Sequence, residues 1–290
     1  MSQSGSQCDL TGNPDLYGIG VRIGLYSQWI ATLLVTLFDS RNEGAYRVVN
    51  LIMQCAIFLG LCTDSSQGGS AVGSIVTQLL LCGSLSSLTG NGISHSGSFS
   101  GICRVLFYIA LSSYGCWFWY TGIDEMTIPN CPEQIAFFGR TSINGRFRVF
   151  GKAAAVIGLV SSVALLGWNI FAVVLRLNGN FKHDRASRAG KRPQVEIGLL
   201  MLSIGLIAFS VGGVEYLIDV NDISGLSDIN SVGQFLPLLV GTIACFQTLW
   251  TILFHGYIWR KRYWLVTERE EILGACTKAG ITQHRMHSTQ

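Results

Sequence analysis

NPDLYGIGVRIGLYSQWIATLLVTL, Asn13 to Leu37, decides how the rest of the chain is read, because it places an arginine inside a run long enough to cross a bilayer. Asn13 is suited to cap a helix, Pro14 has the backbone angle of a first helical residue, and Asp15 faces the positive end of the helix dipole. The apolar run that follows exceeds the ~20 residues a membrane crossing requires. On a 3.6-residue period, Gly20, Gly24, Ser27 and Ala31 form a seam of small residues, with Asp15, Arg22, Tyr26, Trp29 and Leu33 nearly opposite. A packing seam on one side and a charge on the other place this helix inside a bundle.

Composition supports that reading. The 290 residues are 49% hydrophobic and only 13% charged, and the mean hydropathy is +0.41. The apolar residues are blocked into long runs, as in a polytopic α-helical membrane protein. Residues 1–12 are polar and lack a basic region, so no cleavable signal peptide is expected. The net charge of +3 is too small to point to nucleic acid.

Six further spans follow the first: Val48 to Cys62, Ala71 to about Leu88, Ile102 to Tyr120, Val149 to Val174, about Val195 to Val220, and Phe235 to Trp259. The third is the weakest, being rich in Ser and Gly. Polar or glycine-rich connections separate them, and the expected domain plan is an outer segment 1–12, a seven-helix membrane domain 13–264 and a cytoplasmic tail 265–290. The connection after the fifth span carries Arg176, Lys182, Arg185, Arg188, Lys191 and Arg192, and Arg260, Lys261 and Arg262 stop the seventh. Arg41, Arg47 and Arg104 fall on the same side in a seven-span arrangement. Only Arg140, Arg146, Arg148 and Lys152 fall on the other, so the positive-inside rule puts the N-terminus outside and the C-terminus inside. No internal repeat supports an inverted-repeat transporter fold. The basic Lys182–Arg192 loop is an expected contact for anionic lipid, and homo-oligomerisation is a further expectation.

Of the nine cysteines, Cys55, Cys82, Cys103, Cys116 and Cys245 fall in or at spans, where cysteine behaves as a small apolar residue. Cys276 is cytoplasmic in this arrangement. Cys8 and Cys131 lie in outer segments, with Cys62 at an outer helix end, and Cys8–Cys131 is the candidate disulfide.

Arg22 lies roughly 9 Å below the outer interface, and Glu215, on a helix that ends near Val220, roughly 7 Å below the same interface, counting 1.5 Å per residue. Asp219 follows Glu215 by one turn on the same face. Intramembrane charge is costly unless paired or hydrated, so Arg22 is expected to pair with Glu215 or Asp219; the bland alternative is that all three reach the outer headgroups and water separately. Gln28, Asn50, Gln54, Gln78, Asn169, Gln247 and His255 are expected to make interhelical hydrogen bonds. Lys152 reads as a headgroup contact, and His284 and His287 as solvated tail residues.

Several functions are excluded by what is missing. There is no lysine in the last span to carry a retinal Schiff base and no receptor-type Asn-Pro-x-x-Tyr. Paired aspartate-rich motifs for a magnesium diphosphate are absent, as are a His-Glu-x-x-His, a Gly-x-Ser-x-Gly and a phosphate-binding loop. No metal or cofactor is expected. The stretch CDLTGNPDLYGIGVRIGLYSQW, Cys8 to Trp29, resembles the opening of a set of multi-pass membrane proteins of filamentous fungi, in which Asn-Pro-Asp, Gly-x-Gly-x-Arg and Tyr-x-Gln recur. Here those positions are Asn13, Pro14, Asp15, Gly18, Gly20, Arg22, Tyr26 and Gln28. The resemblance implies a fungal origin and a plasma or secretory-pathway membrane, and supplies no activity. Two functional readings remain: a channel, transporter or sensor with an outward-facing polar site, or an intramembrane, terpene-cyclase-like enzyme on a hydrophobic substrate with Glu215 or Asp219 as general acid.

Overall fold

A computed structural model describes residues 10–38, 43–85, 99–126, 135–137, 141–177 and 193–254. Cys8, Cys131, the Lys182–Arg192 loop, His255, His284, His287 and the tail 265–290 lie outside the described residues. The elements are α1 (Pro14–Tyr17), α2 (Ile19–Phe38), α3 (Glu43–Ser66), α4 (Ala71–Gly83), α5 (Phe99–Trp117), α6 (Ile123–Met126), β1 (Ile135–Phe137), β2 (Thr141–Ser142), α7 (Arg148–Leu177) and α8 (Pro193–Val220). A last helix, α9, runs over Val232–Phe254. The protein is predominantly helical; β1 and β2 form one short antiparallel hairpin in the connection before α7, a small departure from an all-helical chain.

Among the described residues six helical stretches are long and apolar enough to cross a membrane, as in an integral membrane protein. α4 is the exception among the seven expected spans. Its 13 residues extend only about 20 Å, short of the ~30 Å hydrocarbon core. It is also the helix buried nearly all round, packing on α8, α3 and α1. Its Ser and Gly content therefore reflects helix–helix packing.

Half of the first spanning stretch is buried, against 11% of the Ile143–Phe171 stretch, so α2 is central and α7 peripheral. α7 turns Val149, Phe150, Ile157, Val160, Trp168 and Phe171 outward, the apolar face expected against lipid. The interior holds Val21, Leu25, Trp29, Leu61, Ile75, Leu80, Phe118 and Leu217. α5 packs on α7, α4 on α8, and α2 on α3.

The chain divides into two units, Met1–Cys245 and Phe246–Gln290. The described part of the second is the helical run Phe246–Phe254. In it Phe246, Trp250 and Phe254 follow one another at i, i+4 spacing, with ring centroids 6.0 and 4.1 Å apart.

The first helix begins where its sequence indicates. Asn13 accepts a hydrogen bond from the Asp15 N–H at 3.1 Å, and Pro14 opens α1. One turn later the helix breaks at Gly18, which adopts an extended backbone, and restarts at Ile19. The break frees helical N–H groups, and the loop before α9 together with the first turn of α9 captures them. Ile19 donates to the Leu226 carbonyl at 3.0 Å and Gly20 to Gln234 Oε1 at 3.4 Å. A side chain at position 18 would lie 2.7 Å from that same oxygen, so glycine is what lets Gln234 reach the restart. Further on, Gly24 of α2 lies against the Pro237 carbonyl, and Gly241 of α9 against the Gly24 carbonyl. Two backbones meet there without side chains between them, as small residues permit in membrane helices. Ala31 is fully buried and Ser27 partly so.

Candidate functional site

Arg22 occupies the first turn of α2 past the Gly18 break, and its N–H bonds to the Gly18 carbonyl. Arg22 is buried at 8% exposure, and its guanidinium donates to Glu215 Oε2 on α8. Tyr26, one turn further along α2, donates its hydroxyl to the other carboxylate oxygen at 2.9 Å. Both oxygens of Glu215 are therefore held from one helix by residues at i and i+4 spacing. The Glu215 side chain itself is 47% exposed, so the carboxylate is clamped by two buried-side partners on a side chain that remains half open.

Asp219 is exposed, one turn nearer the end of α8. The two acids share a helix face, but only Glu215 comes level with Arg22. Tyr26 also packs on Trp29, ring centroids 5.4 Å apart, which backs the clamp with a buried indole. The arrangement can hold and orient a carboxylate. A cation or hydrogen-bond donor approaching from the open side would meet a negative group whose geometry is already set.

The loop after α8 and the start of α9 are built into the site by residues that the apolar pattern does not mark. Gln234, 1% exposed, donates to the Asp228 carbonyl at 3.0 Å while accepting from Gly20. The segment before α1 lies on the same loop, with Gly12 donating to Ser224 and Ser224 to Leu10, both at 3.0 Å. Asn13 Nδ2 donates to Asp64 at the end of α3 at 2.8 Å. Within that loop Gly225 has φ +80°, a left-handed conformation that favours glycine. Glutamines in spans otherwise read as isolated interhelical bonds, so only the Gly18 break makes Gln234 distinctive.

The remaining polar candidates divide. Gln28 donates to the Tyr46 carbonyl at 3.4 Å, an interhelical bond between α2 and α3. Asn50 and Gln54 are fully buried on α3, and among the described residues neither amide has a partner. Lys152 sits over the Tyr120 ring, 4.7 Å from its centroid. Arg148 forms a double hydrogen bond to Asp124, 2.7 Å on each arm. Arg47 and Arg104 are not loop charges: α3 already starts at Glu43 and α5 at Phe99, and both guanidiniums are buried within the bundle. Cys55, Cys62, Cys82, Cys103, Cys116 and Cys245 carry free thiols. No group of three or more metal-ligating side chains occurs among the described residues.

Geometry and composition together define a helical integral membrane protein with a clamped carboxylate near one end of its central helix. Comparison with protein-family models, curated proteins and solved structures finds no match to this chain.

Proposed function

We propose that this protein is a channel, transporter or sensor whose outward-facing polar site is Glu215 held by Arg22 and Tyr26, with Asp219 at the entrance. The observation that carries the reading is the clamped but half-exposed carboxylate. A charge maintained inside a membrane protein and kept accessible from one side is suited to meeting a polar solute. A general acid for a hydrophobic substrate would instead call for a closed aromatic cavity, and the Glu215 side chain is half-exposed.

The proposed arrangement keeps seven membrane helices, in which the whole Ala71–Leu88 run, α4 being its described helical part, makes the third crossing, with the N-terminus outside and the C-terminus inside, in a plasma or secretory-pathway membrane. Burial of Arg47 and Arg104 removes them from the positive-inside comparison. The bias persists because the connection after the fifth span and the segment after Trp259 carry most of it.

The test is solute or ion flux into liposomes holding the purified protein, with pH and cation varied on the side that bears the N-terminus. Wild type is expected to conduct or exchange. Glu215→Gln and Arg22→Ala are expected to reduce the flux roughly tenfold to a hundredfold, the effect of losing a charge-assisted contact of about 1.5–3 kcal/mol. Silence of folded wild type under every gradient, or flux indifferent to both substitutions, contradicts the transport form of the proposal.

A further inference from the structure

The clamp on Glu215 fixes a charge balance as well as a position. The buried Arg22 gives its guanidinium to one carboxylate oxygen, and Tyr26 gives its hydroxyl to the other at 2.9 Å. A guanidinium keeps its proton in proteins, and a donating tyrosine hydroxyl carries no charge, so the three side chains sum to zero. Glu215 keeps the hydrogen-bonding capacity of an ion with its charge already balanced.

Part of that capacity is unused by the clamp. A carboxylate offers about four lone-pair positions, and the bonds from α2 take one on each oxygen. One position on each oxygen is left over, on a side chain that is 47% exposed. Arg22, Tyr26 and Glu215 are already joined around this one group.

Charge balance and free lone pairs together select among solutes. A cation at the carboxylate would turn a neutral cluster into a positive one, with the Arg22 guanidinium held against the same group. Net charge inside a membrane protein is costly unless it is paired or hydrated. An anion would meet the carboxylate oxygens and be repelled. A neutral molecule with two adjacent donors fills both free positions and leaves the balance untouched, and hydroxyl donors make the shorter bonds to a carboxylate. Asp219, exposed one turn nearer the end of α8, draws cations to the entrance, where water screens its charge.

We propose, resting on the transport reading of this site, that it selects small neutral polyols. Two neighbouring hydroxyls donate to the two carboxylate oxygens, and Arg22 is the specificity-determining residue that keeps cations out.

The test compares erythritol, potassium and chloride in liposomes holding the purified full chain. Erythritol entry is read by light scattering after an osmotic step, and the ions by entrapped dyes, each against protein-free liposomes. Wild type should admit erythritol well above the protein-free rate and leave both ions at that rate. Arg22→Gln removes the balancing charge and keeps hydrogen-bond donors. In it erythritol entry should fall and potassium entry rise, each roughly tenfold or more, while Arg22→Lys should still keep potassium out. If Arg22→Gln does not fold, Glu215→Gln applies the same reasoning with the sign reversed: it leaves Arg22 unbalanced and should admit chloride. Wild type that admits either ion as fast as erythritol would leave the transport reading standing and overturn the choice of solute. A charge variant, folded by circular dichroism, whose ion entry matches wild type would overturn it too. Wild type silent to all three would overturn the transport reading and the choice of solute together.

Discussion

Gly24→Leu is expected to abolish stable folding, and Gly24→Ala to cost at least about 3 kcal/mol, the upper end of ordinary overpacking. The reason is what a side chain would meet. A Cβ on Gly24 would run into the Pro237 carbonyl and come 2.7 Å from the Leu238 nitrogen, while Gly241 crowds the Gly24 carbonyl from α9. A flexible side chain can swing aside, but two helix backbones must separate. Separation would also draw Gln234 away from the Gly18 break, because Gln234 and Pro237 both lie near the start of α9. Gly205→Ala is the matched control. Nothing lies within 4 Å of a Cβ built there, so the substitution should be neutral or stabilise by about 0.5–1 kcal/mol through helix propensity. Unfolding of the two alanine variants in the same detergent checks the contrast. Equal stabilities would mean that α2 and α9 do not meet at Gly24.

Arg47→Met should destabilise by about 3 kcal/mol, because it removes the guanidinium that hydrogen-bonds the buried Glu43 carboxylate and leaves it the Thr36 hydroxyl and the nearby but unbonded Arg104. Glu43→Gln combined with Arg47→Met removes both charges, and the double variant should be more stable than Arg47→Met alone. That non-additivity distinguishes a buried ion pair from two independent surface charges, whose effects would simply add. Denaturation midpoints of the four proteins in one lipid-like detergent complete the cycle.

These two clusters show what could be read from residues alone. Span-length apolar runs, the Asn13-Pro14-Asp15 start and the interior position of α2 are all carried by local pattern, which periodicity and capping chemistry record. Matching depths brought Arg22, Glu215 and Asp219 to one level. Choosing between the two acids was beyond the sequence, since residues four apart share a helix face and the choice depends on how α8 is rotated against α2. Tyr26 was visible as a neighbour of Arg22 but not as a second hand on the carboxylate, for the same reason.

Other features left weaker traces or misleading ones. Charges at the margin of an apolar run read as loop charges, so Arg47 and Arg104 read as interfacial residues, whereas α3 begins at Glu43 and α5 at Phe99. The only hint was spacing: Arg47, Asn50 and Gln54 repeat at helical period. The Gly18 break left no trace, because a glycine in an apolar helix is ordinary and its partner, Gln234, lies more than two hundred residues away. α4 is shorter than the apolar stretch around it, and its burial comes from neighbours distant in sequence.

The most direct measurement is the accessibility of position 215. In sealed cells or vesicles, Glu215→Cys would be treated with a membrane-impermeant thiol reagent, and the modified peptide identified by mass so that the native cysteines do not confuse the readout. A site open to water on the side bearing the N-terminus should label at that position from that side without permeabilisation, and Arg22→Ala should not be needed to expose it. Labelling only after permeabilisation, or only by a lipid-soluble reagent, would contradict an outward-facing polar site.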